Sequence, residues 1–373
     1  MVKNKSLYHF GFVVEQVLGH ITHGQNLQAY VSENPEIQAY WSLPIWNASG
    51  LVGKIPNWTL KVGMQVRHDL AKIQQEKKLD ALFFHTQVTA VLAQKWLMRV
   101  PSIVSIDATP LQYDSLGKFY NHDSGPNWME KLKYKLDYQC FKSAQHLVTW
   151  SEWAKHSLVN DYNIPEDKIA VIPPGVNVME WHRPQPRSRR ADTSVKILFV
   201  GANLERKGGH LLLEAFRTLK ATLSSSRPML VVELHLVTKD QLTEEPDIFV
   251  YNDMKPNSKL LKQLYHDCDI FCLPTLGDCL PMVLSEAAAA GLPTISTNVA
   301  AIPEITLDGK TGFIIPPGDV SSLTEALKKL VVDTNLRYQQ GLQAVELASH
   351  KFDALTNAVR LLDLLKEVAN SRT

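Results

Sequence analysis

Short apolar runs alternate along this chain with longer stretches whose apolar residues recur at helical spacing. In the first half the runs Tyr8–Val14, Ile37–Trp41, Ala81–Phe84, Ser102–Ile106, His146–Thr149 and Lys168–Val171 predict strands, with helices such as Val62–Gln75 and Asn127–Phe141 between them. The pattern breaks after Pro173, where PPGVNVMEWHRPQPRSRRADTS carries Pro, Arg and Ser without any apolar period and predicts a linker. A second series then begins: strand Lys196–Val200, helix His210–Leu223, strand Leu230–Val237, helix Asn257–His266, strand Asp269–Leu273, helix Met282–Ala290 and strand Pro293–Thr297. Helices Ser321–Val332, Leu336–Ala348 and Ala354–Val368 complete it. Alternation of this kind is the mark of α/β domains built on parallel sheets. The expected architecture is two Rossmann-like domains, at 1–180 and 195–353, joined by a linker at 181–194. The last helix, about 354–373, is expected to pack back on the first domain. Ligands of such sheets bind at the carboxyl ends of the strands, here expected to face a cleft between the domains.

Composition supports two ordinary folded domains. The chain has 373 residues, 45% of them hydrophobic and 21% charged. A formal net charge of +1 gives no global field to recruit nucleic acid, so an anionic ligand needs a local site. The opening MVKNKSLYHFGFVV reads as a first buried strand rather than a signal peptide, and no run approaches the roughly 20 apolar residues of a membrane span. A cytoplasmic protein is expected. Arg183, Arg187, Arg189 and Arg190 in the linker leave peripheral contact with an anionic membrane open, although a solvated linker is the plainer account. Cys140, Cys268, Cys272 and Cys279 form neither a disulfide framework nor a zinc pattern, and are expected to be reduced and partly buried.

Two segments of the second half carry chemistry. In FVGANLERKGGHLLLEAF (199–216) a strand ends at Val200, Gly201 permits a tight turn, and Gly208-Gly209 precede a helix. Helix N-termini present unpaired N–H groups to an anion, and Arg206 and Lys207 in the loop can add charge-assisted bonds. In DIFCLPTLGDCLPMVLSEAAAAGLPTIST (269–297), Gly277 and Asp278 lie in a loop and Pro281 marks a helix start. The amides of Met282 and Val283 would point toward the same ligand, with Leu280 beside them. Four alanines at 287–290 make a slim helix that can pack closely, and Glu286 lies within it, where an unpaired carboxylate is costly. A ligand-facing role is the expectation for Glu286, against a carboxylate that reaches water or meets a basic partner.

Together these motifs resemble the signature of retaining GT-B glycosyltransferases of family four: Asp278, seven residues, Glu286, then Gly291, Pro293, Pro303-Glu304-Ile305, Asp308-Gly309 and Thr311-Gly312. The resemblance runs over nearly the whole chain. It implies that Glu286 holds the ribose hydroxyls of a sugar nucleotide and that Asp278, where relatives usually carry Glu, lies by the transferred sugar. It implies too that Arg206 and Lys207 grip the diphosphate, with Met282 and Val283 amides as helpers. Ala202 stands where many relatives carry Arg. Aspartate at 278 is one methylene short, which bears on sugar choice.

The first half matches less closely. In VEQVLGHITHGQNL (14–27), Gly19-His20 resembles the first-loop glycines that approach donor and acceptor, with Thr22 and His23 nearby. Asp107 ends the strand 102–106 where many relatives have His. It can bind a sugar hydroxyl or oppose developing positive charge, or it can cap a turn. His85 ends another strand and is a weaker candidate. Trp150-Ser151-Glu152-Trp153 resembles a segment that precedes a domain-closing helix, with packing the default for the tryptophans.

The expected activity is therefore transfer of a sugar, from a UDP-sugar more readily than a GDP-sugar, to a carbohydrate or lipid-linked acceptor, with retention. The catalytic set is Asp107, Asp278, Arg206 and Lys207; the donor set is Gly19, His20, Arg206, Lys207, Leu280, Met282, Val283 and Glu286. No cofactor is expected. No metal is required either, since Arg and Lys neutralise the leaving diphosphate and no Asp-x-Asp motif is present. Alternatives on the same fold are a disaccharide phosphorylase, a nucleotide-sugar epimerase and a non-catalytic nucleotide-sugar-binding subunit.

Overall fold

The computed structural model describes residues 7–17, 19–45, 57–117, 126–184 and 193–371. Arg187, Arg189 and Arg190, with most of the expected linker, lie outside these residues. The chain divides into two compact units, residues 1–175 with 354–373, and residues 176–353. The first unit thus ends earlier than the expected boundary at 180. Val176 N–H donates to the Phe352 carbonyl, and the short helix Val178–Trp181 sinks Trp181 to 1% exposure, with its ring 5.0 Å edge-on to Tyr265. This buried tryptophan anchors residues expected to be linker within the second unit.

The first unit is a six-stranded sheet of β1 (Tyr8–Val14), β2 (Ile37–Ser42), β3 (Ala81–His85), β4 (Ser102–Ile106), β5 (His146–Thr149) and β6 (Ile169–Val171). The order is β2-β1-β3-β4-β5-β6, and every pairing is parallel. Strands buried on both faces explain the continuous apolar runs. Along β3, Ala81 and Phe83 enter one core while Leu82 and Phe84 enter the other, as the two-residue period of a strand requires. One face is covered by Val62, Val66 and Leu70 of α2 (Trp58–Glu76). The other meets Leu27 and Val31 of α1 (His20–Ser32) and a stripe on the helix Ala354–Asn370, namely Ala358, Leu361, Leu362, Leu365 and Val368. That 3–4 spacing is the apolar face of an amphipathic helix, and burying each leucine contributes roughly 1.5–3 kcal/mol.

The second unit holds β7 (Ser194–Val200), β8 (Val231–Val237), β9 (Ile248–Tyr251), β10 (Ile270–Leu273), β11 (Thr294–Thr297) and β12 (Gly312–Ile315). Their order is β12-β11-β10-β7-β8-β9, again with parallel pairings. Both sheets therefore carry the two-domain GT-B design of Rossmann-like units. In such sheets the strand order reverses at a switch point, and the loops leaving the two strands there diverge to leave a crevice. It falls between β1 and β3 in the first unit, and between β7 and β10 in the second.

Candidate functional site

The second unit's switch point gathers the loop after β7 and the loop after β10. Leu204 N–H donates to Asp240 Oδ2 at 2.6 Å and Arg206 N–H to Asn203 Oδ1 at 2.7 Å, which fixes the first loop. The two loops are then stitched together through Arg206. Its carbonyl accepts from Leu276 N–H at 2.9 Å and from Thr275 Oγ1 at 3.2 Å, and its guanidinium donates to the Gly277 carbonyl at 2.7 Å. Gly208 has φ +72°, and a Cβ there would fall 1.9 Å from the Pro274 carbonyl oxygen. The structure spends Gly208 on the approach of one loop to the other. Lys207 donates to Asp278 Oδ2, and Arg206 Nη1 lies 4.0 Å from Asp278 Oδ1. The three side chains are only 13–18% exposed. Two cations thus converge on one carboxylate where sequence reasoning expected them to await a diphosphate.

Beside them starts the helix Met282–Ala289, with Pro281 at its N-cap and no side chain capping its first turn. The first amides of such a turn lack intrahelical partners and are left for a ligand or water. Met282 and Leu280 are buried and Val283 is partly so. Glu286, one turn on, is 6% exposed and accepts a 3.0 Å hydrogen bond from Tyr265 Oη at Oε2. Burial pushes its carboxyl up to about 7, against the opposing pull of Tyr265 and Lys262. The carboxylate expected to face a ligand alone is therefore already held at one oxygen by a buried phenol. Ala287–Ala290 pack without exposure against the helix Thr334–Lys351.

In the first unit the switch point collects Glu15 after β1, His20 and His23 on α1, His85 at the end of β3, Asp107 after β4 and Trp150 after β5. Glu15 is 4% exposed; its oxygens accept from Trp58 Nε1 and, at 2.7 Å, from Thr86 Oγ1. His20 Nδ1 lies 3.9 Å from Glu15 Oε2 and its Nε2 lies 3.6 Å from Asp107 Oδ2. The His85 ring stacks on Trp150 at 5.0 Å, with His20 at 4.8 Å and His23 at 5.0 Å from it. Burial works against charge on His20, but the contact and charge of Asp107, backed by Glu15, outweigh it and raise its pKa. Burial, and then the charge of His20, take His23 down to about 3 and hold His85 well below its ordinary value. His20 is the one imidazole of the three suited to carry a proton.

Asp107 stands in the turn before the helix Pro110–Ser115. Thr109 caps the helix Pro110–Ser115 in a reciprocal capping box with Gln112, while Asp107 Oδ1 accepts from Ala108 N–H at 2.9 Å. A Cβ at Gly19 would meet open space, so that glycine is not demanded by packing. The structure thus brings Gly19, His20 and Asp107 together in one unit, and Arg206, Lys207, Leu280, Met282, Val283, Asp278 and Glu286 in the other. Sequence reasoning missed Glu15 and Tyr265. Glu15 had a signal, a carboxylate directly after a fully buried strand; Tyr265 had none beyond its place in a helix. The four cysteines are buried and free. Among the described residues no helix is long and apolar enough to cross a membrane.

Comparison with known proteins gives these sites a context. The family model described as Glycosyl transferases group 1 matches residues 194–333, and Glycosyltransferase Family 4 matches residues 37–180. The capsular polysaccharide biosynthesis glycosyltransferase CapM of Staphylococcus aureus is 26% identical over 226 residues, 57% of this chain and 58% of that protein. The D-inositol 3-phosphate glycosyltransferase of Corynebacterium diphtheriae is 28% identical over 231 residues, 57% of this chain and 54% of that one. The chain thus spans little more than half the length of these curated relatives. Among solved structures, sucrose-phosphate synthase from Thermosynechococcus elongatus superposes with a TM-score of 0.74 at 14% identity, covering 98% of this chain and 100% of that one. Anabaena HepE in complex with UDP and glucose gives 0.69 at 14% identity, covering 96% and 100%. At these identities the structural likeness is one of fold.

Proposed function

We propose that this chain, which belongs to glycosyltransferase family 4, transfers a sugar from a nucleotide-diphosphate sugar to an acceptor hydroxyl with retention of anomeric configuration. The observation that carries this is the convergence of Arg206 and Lys207 on Asp278, beside the uncapped helix start at Met282 and with Glu286 one turn inside. The cations and the first-turn amides of Met282 and Val283 take the diphosphate, and Glu286 takes the ribose. The base is uridine before guanosine: HepE is a fold neighbour whose structures hold UDP and UDP-glucose.

Leaving-group departure puts negative charge on the diphosphate. Fixed cations and helix N–H groups stabilise that charge without reorganising as it forms. The departing phosphate oxygen takes the acceptor's proton while the new glycosidic bond forms on the same face. Asp107, in the first unit, opposes the positive charge that develops on the sugar, and the acceptor binds through that unit. No metal is needed for these steps, because Arg206 and Lys207 supply the positive charge.

A thermal-shift panel of UDP-, GDP- and ADP-sugars tests the donor assignment, since a ligand that binds only the folded state raises its stability. One sugar nucleotide should raise the Tm by several degrees at millimolar concentration. No shift with any of them would overturn the site. Incubation with that donor and an acceptor panel, with and without phosphate, separates transfer from phosphorolysis, epimerisation and binding alone.

A further inference from the structure

Among the described residues of the first unit, Glu15 is a carboxylate buried directly after a core strand. It sits at the end of β1, 4% exposed, and receives two hydrogen bonds, from Trp58 and Thr86. A buried carboxylate persists only when paired and bonded in this way. It also faces His20, whose other nitrogen faces Asp107. The side chains become steadily more open along that line: Glu15 5%, His20 14%, Asp107 22%. The buried end is Glu15 and the more open end is Asp107.

Among the described residues, Glu15 and Asp107 are the charged partners recorded for His20. His23 and His85 pack against it as rings, Trp150 lies 5.4 Å away, and Thr86 is committed to Glu15. Among the described residues, His20 Nδ1 has no hydrogen-bond partner. The two carboxylates lie on either side of His20, at 3.9 and 3.6 Å. With His20 charged, the three groups sum to a single negative charge, which suits a hydroxyl-rich group gaining positive charge and repels a phosphate.

We propose that Glu15 is a positioning residue of the first unit's site: it anchors His20, and through His20 orients the Asp107 carboxylate toward the transferred sugar. The second part rests on the glycosyltransferase reading above; the first does not. The arrangement follows the logic by which a buried carboxylate orients a histidine that in turn acts on a third group. It also assigns His20 to the sugar side rather than to the diphosphate.

Two measurements on the full chain test this separately. Histidine-ring ¹⁵N NMR between pH 5 and 9, with His20 identified by its loss in His20→Gln, reads the anchoring directly. His20 should hold its proton to a higher pH than a free imidazole, while His23 and His85 stay neutral. Glu15→Gln should lower the His20 midpoint by about one unit, a tenfold change in its proton affinity. Thr86→Val, which removes one bond to Glu15 and is the safer variant for folding, should shift it the same way by less. An unchanged midpoint in both variants overturns the proposal.

The second measurement is the pH dependence of sugar release from the nucleotide sugar picked out by the thermal-shift panel, with water as acceptor. Activity should fall as pH rises through the His20 titration. In Glu15→Gln that limb should move down by about one unit, with kcat about tenfold lower and donor KM within twofold of the parent. An unmoved limb at full kcat overturns the orienting role. A parent chain that binds and cleaves no sugar nucleotide fails the glycosyltransferase reading instead, and the NMR result still decides whether Glu15 anchors His20.

Discussion

The Lys207 ammonium rests against the Asp278 carboxylate, joining the loop after β7 to the loop after β10. With Arg206 also facing that carboxylate, two cations share one acid and the cluster keeps a net positive charge. On the proposed function, a diphosphate entering here would draw Lys207 away and a sugar hydroxyl would replace it on Asp278.

Replacing Asp278 by Asn should therefore release Lys207 at the expense of the sugar. Nucleoside diphosphate alone should bind several-fold more tightly, while turnover falls by about tenfold or more. Calorimetry with the nucleoside diphosphate reads the first effect and steady-state kinetics the second. Equal affinity in parent and variant would show that Lys207 is not restrained by Asp278.

Glu286 should make donor binding depend on pH. Its carboxyl is raised to about 7 by burial, so below that value it is protonated and accepts hydrogen bonds from ribose poorly. Donor affinity should rise between pH 6 and 8 and level off above. Glu286→Gln should be flat over that range and Glu286→Ala should bind the donor at least tenfold more weakly. The same shift acts on stability with the opposite sign. The folded state binds more protons than the unfolded one between the ordinary carboxylate range and about 7, so this group's contribution to stability declines as pH rises through that window.

Asp107→Ala should lower kcat more than it weakens donor binding, because the proposed grip on the nucleotide lies in the other unit. A loss of about tenfold to a hundredfold in kcat with donor Kd within threefold is expected. Calorimetry beside steady-state kinetics checks the split, and a parallel loss of both would place Asp107 in the donor grip.

Gly341→Ala should destabilise the second unit by about 1–3 kcal/mol without touching the chemistry. A Cβ at 341 would fall 2.5 Å from the Gly291 carbonyl oxygen, where the helix Thr334–Lys351 crosses the end of the alanine-rich helix. Chemical denaturation measures the loss, and an unchanged unfolding midpoint would mean that the helices separate at little cost.

Most of the fold was legible because its central strands are buried on both faces and so appear as unbroken apolar runs. The strands that escaped notice were β9 and β12, at the edges of the second sheet, where Phe249 is 43% exposed and no run of buried residues forms. The helix start after Pro281 was legible for a local reason, proline's missing N–H. The partnerships inside the sites were not. Glu15 with Thr86 and Lys207 with Asp278 each span 71 positions, and nothing near either residue names the other. Even Glu286, singled out by its apolar surroundings, gave no sign of Tyr265. Sequence pattern locates a costly group; only the packing of sheet and loops shows what compensates it.

The stripe Ala358, Leu361, Leu362, Leu365 and Val368 has a consequence in time as well as in space. It covers Phe10, Phe12 and Phe83 of the first sheet, yet the whole of the second unit is synthesised between them. A growing chain can finish the later unit as soon as residue 353 emerges, whereas the earlier one must wait with aromatic side chains uncovered until the residues beyond have followed. Of the two units, the one translated earlier is thus the one completed later, with its apolar face uncovered in the interval.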